Sequence, residues 1–173
     1  MALQVDPEVL PHWTRVAFAA RCARRVLPLF AEAWPEANPE RQAALELAIT
    51  LAERSASDQR PTEGLREAVI AAIMVAGRAY MQHHCPEPVK DDDPGPTDRR
   101  SALIASFVAK AAEHAAEAAN APPDASAQHV LEAFHFALDA LRAAGRLGQV
   151  EVLEADFEAA AGSTPRRPWW RFW

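Results

Sequence analysis

A chain of 173 residues is the size of one ordinary domain with a single core, and too short for two comfortable ones. Half of its residues are apolar, 24% are charged and only 6 are glycine, which excludes the disordered and fibrous classes. The net charge of −6 is unevenly placed: the last nine residues, Pro165 to Trp173, hold three Arg and no acid, so residues 1–164 carry 15 basic against 24 acidic side chains, a net −9. An acidic body repels phosphate backbones, so nucleic acid is not an expected partner and a basic protein is a better one.

Alanine and leucine dominate the apolar half, so helix propensity prevails along the whole chain. The first helix is expected from about His12 to Trp34, with Val16, Ala20, Ala23, Leu27, Phe30 and Trp34 on one buried face. Pro28 lies inside it and predicts a bend, or a restart between Arg24 and Leu27. Asn38 as cap, Pro39 at the first helical position and Glu40 against the positive end of the dipole open a second helix. Its inner residues are Leu45, Ala48, Ile49 and Ala52, and it should end near Ser55. The connection from Pro35 to Asn38 is short enough to make these two helices antiparallel neighbours.

A third helix is expected after a Thr62 cap, with Leu65, Val69, Ile73, Ala76 and Tyr80 inward. It must stop by Cys85, because Pro86 and Pro88 cannot continue it, and a charged connection over residues 86–97 follows at the midpoint of the chain. The fourth helix, capped by Thr97 or Asp98, is expected to bury Leu103, Phe107, Ala111 and Ala118. A fifth helix follows Asp124 with Val130, Leu131, Phe134, Leu138 and Leu141 inward. The sixth, roughly Gln149 to Ala161, offers Val150, Leu153 and Phe157 and stops at Gly162. These patterns predict an all-α bundle of about six helices over residues 1–164, without a solenoid repeat, followed by the tail 165–173.

Two cysteines and the lack of a signal-peptide pattern point to a reducing, cytoplasmic setting without a disulfide. The longest apolar stretch, Ala68 to Ala76, is far below the roughly 20 residues that span a bilayer. Candidate chemistry is sparse. His83, His84 and Cys85 are metal-ligand types, yet neighbouring side chains on a helix diverge by about 100°, so a solvated helix end explains them better. Glu132 and His135 have the Glu-x-x-His spacing of carboxylate-bridged metal bundles, but no second such pair appears, since Ala111 stands three residues before His114. With no nucleophile elbow and no phosphate-cradling loop, the expectation is no catalytic residue, no cofactor and no metal. The tail differs in kind: Arg166, Arg167, Trp169, Trp170, Arg171, Phe172 and Trp173 are residues that dock. The bundle itself, a partner protein and a membrane surface are all open as its target, and a homodimer is a further option.

The run Cys22-Ala23-Arg24-Arg25-Val26-Leu27-Pro28-Leu29-Phe30, with Ala19 to Arg21 before it and Trp34-Pro35, Pro39 and the helix Arg41 to Ser55 after it, resembles the N-terminal half of small helical immunity proteins encoded beside bacterial polymorphic toxins. The likeness covers about a quarter of the chain. It implies a non-catalytic cytosolic protein that neutralises a toxin by binding it. The resulting expectation is a protein-binding module; the alternatives are a metal- or small-molecule-dependent bundle enzyme and a peripheral membrane protein held by its aromatic tail.

Overall fold

A computed structural model describes residues 10–85, 95–96 and 98–162, with side chains omitted from 160 onward. Six helices follow in order: α1 His12–Ala33, α2 Pro39–Asp58, α3 Leu65–His84, α4 Arg99–Asn120, α5 Ser126–Ala143 and α6 Leu147–Gly162. The architecture is all-α, and one hydrophobic cluster draws on all six helices. No helix among the described residues is long and apolar enough to cross a membrane.

The middle of the bundle is α4, which packs on α1, α2, α3 and α5. A helix enclosed on so many sides must be thin, and its sequence supplies that thinness: Ala102, Ala105, Ala109, Ala111, Ala112, Ala115, Ala116, Ala118 and Ala119 are all buried. Small side chains at the contact set the short end of interaxial distances. The expected inner residues Leu103 and Phe107 are instead half-buried at its flank, with Phe107 against Phe136 of α5 (centroids 6.1 Å apart). Asp98 caps α4, its Oδ1 accepting from the Ser101 amide at 2.8 Å.

All six expected inner residues of the first helix are buried, and α1 continues through Pro28 without restarting. Pro28 lies on the exposed side of α1, where water can serve the Arg24 carbonyl that has lost its amide donor. Trp34 closes the helix under Phe30 (5.8 Å), with the Arg41 guanidinium 4.9 Å from its ring. Arg24 staples α1 to α2 through a fork on Glu53, with Nε to Oε1 at 3.0 Å and Nη2 to Oε2 at 2.7 Å.

The second helix opens as expected, Asn38 accepting from the Glu40 amide at 2.9 Å, but it runs one turn past Ser55. Gln59 ends it in the left-handed conformation, φ 53°, with its amide on the Ser55 carbonyl. Thr62 does not cap α3. Its amide is taken by the Ser55 hydroxyl at 3.0 Å, and the N-cap is Gly64 at φ 81°, which favours glycine. Phe18, Phe134 and Phe157 join α1, α5 and α6, with centroids 4.4 to 5.9 Å apart. Val150, Leu153 and Phe157 are buried as the periodicity of the sixth helix requires.

Candidate functional site

Two features of this frame are chemically unusual. The first is the outer face of α3. Its inward side is built mostly of small residues, Ala68, Val69, Ala72, Val75, Ala76 and Ala79, which lie close against the alanine surface of α4. The large apolar residues point outward: Ile70 is 53% exposed, Met74 70% and Tyr80 52%, with Ile73 and Met81 also exposed. Ile73 and Tyr80, expected in the core, are therefore on the surface. Both faces of α3 are apolar, so periodicity alone could not tell which one is buried, and the demand for thin packing against α4 decided it.

Positions 70, 73, 74, 77, 80 and 81 follow the three-and-four spacing of one helical stripe. At its centre Gly77 is exposed, and a Cβ added there would meet nothing within 4 Å, so a shallow notch lies between the side chains of Met74 and Met81. The Tyr80 ring lies tilted against His84 (4.2 Å), which in turn meets His83 edge-on (4.6 Å). His83 Nδ1 donates to the Arg99 carbonyl at 2.9 Å, tying the end of α3 to the start of α4.

The second feature joins α4 to α5. His114 and Glu117, one turn apart on α4, meet His129 in the first turn of α5. Nδ1 of His114 stands 2.8 Å from Oε2 of Glu117, Nδ1 of His129 stands 3.0 Å from the same oxygen, and the two nitrogens are 3.4 Å apart. All three side chains are half-buried. The hydrogen bond from His114 holds the Glu117 carboxyl below its ordinary pKa, against the opposing effect of burial, with the charges of His114, His129 and Lys110 adding to the same direction. His114 is held flat on Phe136, with ring centroids 5.5 Å apart and planes 2° apart. This is the one group of three His, Cys, Asp or Glu side chains with converging ligand atoms among the described residues.

The turn before α5 is fixed from α1. Arg15, itself buried, donates from Nη2 to the Pro123 carbonyl at 2.6 Å, and the Ser126 hydroxyl donates to the same oxygen at 2.9 Å. His12 Nδ1 lies 3.0 Å from Ser126 Oγ, and burial first, then the Arg15 charge, lowers the His12 pKa. Two residues of the α1 N-terminal turns, His12 and Arg15, thus hold the start of α5, and with it His129. Ala125 stands at the N-cap without a side-chain bond, and this longer-range anchoring fixes the start of α5 in place of a local cap.

Of the residues singled out in sequence, Glu132 accepts from Gln128 at 2.7 Å and His135 is exposed, so that pair is not brought together around a common point. Cys22 and Cys85 are free thiols; burial pushes the Cys22 thiol well above its ordinary pKa, which leaves it inert. The tail residues Arg166, Arg167, Trp169, Trp170, Arg171, Phe172 and Trp173 lie outside the described residues, as does most of the 86–97 connection. The His114, Glu117 and His129 group was missed because its intrahelical half reads His-x-x-Glu, the reverse of the spacing sought, and its third member comes from another helix. No family model matches the chain, and neither a curated protein nor a solved structure matches it.

Proposed function

We propose that this chain is a non-catalytic protein-binding module that docks through the outer stripe of α3, and that its partner is a toxin which it neutralises by occupying it. The observation that supports this reading most is the stripe itself: Ile70, Ile73, Met74, Tyr80 and Met81 are all exposed along one side of one helix. Several hundred Å² of contiguous apolar surface is what a soluble protein keeps for a partner. Anchors at three-and-four spacing suit a groove in that partner, and the notch at Gly77 suits insertion of one of its side chains.

Two further points favour the partner class. The net −9 of residues 1–164 accelerates encounter with a cationic protein. The resemblance of the N-terminal quarter to immunity proteins supplies the toxin. Co-expression with toxins of bacterial polymorphic-toxin loci, beginning with any encoded beside this gene, tests the reading: growth should be restored by the wild-type chain and lost with Met74→Glu, a change on an exposed side chain. Equal protection by Met74→Glu would contradict a docking role for the stripe. A second copy of the chain is the competing occupant, and a dimer that Met74→Glu converts to monomer, with protection intact, would favour it instead.

A further inference from the structure

We infer that His114, Glu117 and His129 form a binding site for one divalent transition-metal ion, with zinc the ion that best fits the donor set. This goes beyond the docking reading and does not depend on it. Two imidazole nitrogens and one carboxylate oxygen are the ligand types of three-residue zinc and facial-triad iron sites, in which further positions stay open for water.

Geometry carries the assignment. An ion about 2.0–2.1 Å from each donor spans donor–donor edges of about 2.9 Å on an octahedral face and about 3.4 Å on a tetrahedral one. The observed edges are 2.8, 3.0 and 3.4 Å. A triangle with these sides is capped by an ion about 2 Å from every corner and about 1 Å out of their plane. An ion seated over the triangle lies about 45° off the line from each Nδ1 to the Glu117 oxygen, so each imidazole must turn from its present hydrogen bond to aim its lone pair at the ion. Exchange of hydrogen bond for metal bond also asks for the other neutral tautomer, with the proton on Nε2.

Support around the ligands is also present. Phe136 stacks flat on His114, and the Pro123 carbonyl, gripped by Arg15 and Ser126, fixes the turn that leads to His129. Two neutral imidazoles and one carboxylate leave a bound divalent ion with one net positive charge, and half-burial of the three side chains leaves its open side to solvent. The chemical class of the remaining ligand is thus water or an anionic oxygen donor. In the ion's presence α4 and α5 would be cross-linked at the end of the bundle where their connecting turn lies.

The test is calorimetric titration of the full chain, first stripped with chelator, with zinc chloride at pH 7.5, followed by cobalt(II) absorption spectroscopy. The expected result is one zinc per chain with a Kd of about 10 μM or tighter, weakened about tenfold or more in both His129→Ala and Glu117→Gln and unchanged in His84→Ala. Cobalt should give visible d–d bands without a thiolate charge-transfer band, since Cys85 is not a ligand. Absence of zinc binding by the wild-type chain at 100 μM would overturn the site outright, whatever the variants do. Binding that survives in both His129→Ala and Glu117→Gln, or that is lost in His84→Ala, would overturn it by placing the ion at the end of α3.

Discussion

The two neighbouring helices α3 and α4 meet water in opposite ways. In α4 small residues face nearly every direction and are buried in nearly every direction, because four other helices close on it. In α3 the small residues face α4 while isoleucine, methionine and tyrosine face solvent. Between these two apolar faces of α3 it is mainly side-chain size that separates inside from outside. The central helix is therefore optimised for close approach, whereas the outer one keeps its largest apolar side chains in reserve from the core, an arrangement that costs solubility and gains nothing in stability unless something else covers them.

The comparison breaks most visibly on the inner side. Ala112→Leu adds three carbons where the packing has no room, and should destabilise the fold by about 1–3 kcal/mol, read as a lower melting temperature and denaturation midpoint. A neutral effect would mean that α4 is not tightly enclosed. Glu117→Gln should cost less, about 1 kcal/mol at neutral pH in the presence of chelator, since one oxygen that accepts from two imidazoles is weakened. Because the Glu117 pKa is lowered in the folded state, the wild-type advantage is full above the ordinary carboxylate value and disappears as pH falls through the folded value. A stability gap between the two proteins that stays constant down to pH 3 would show that the carboxylate is not held by these bonds.

His12 sharpens the same contrast with a smaller effect of the same sign but from the opposite cause, burial of a base rather than bonding to an acid. Its pKa is lowered by burial, so the unfolded chain takes up a proton first as pH falls below the ordinary histidine value. The wild-type chain should lose stability between about pH 7 and the lower folded pKa, and His12→Gln should flatten that slope. An unchanged slope would exclude His12 as the cause. Smallest of all is the outer stripe: Ile73→Ser and Met74→Glu should each change stability by no more than about 0.5 kcal/mol by chemical denaturation. A large loss would mean that the stripe belongs to the core after all.

Helix existence and order were readable from the residues because capping and breaking chemistry is local: Asn38 with Pro39 opens α2, Asp98 opens α4, and Pro86 and Pro88 bar helix beyond Cys85. Faces were readable wherever one side of a helix is polar, as for Val16 to Trp34 in α1 and Val150, Leu153 and Phe157 in α6. They were misread where both sides are apolar, which put Ile73 and Tyr80 in the core and Leu103 and Phe107 deeper than they lie. The same limit hid the metal-type cluster. His114 and Glu117 are visible as a pair, but His129 joins them only because α5 is set against α4 by Arg15 and Ser126, a tertiary arrangement that no spacing rule encodes.

The central claim is that the outer face of α3 serves binding and not folding, and Gly77→Arg tests it most directly. A Cβ there meets nothing within 4 Å and arginine replaces the poorest helix former but proline, so the helix should tolerate it, while the notch in the middle of the stripe is filled by a charged side chain. Melting temperature and partner affinity should be measured on the same preparation. The account predicts a melting temperature at or above that of the wild type and a partner Kd weakened about a hundredfold; a lowered melting temperature with affinity unchanged would contradict it.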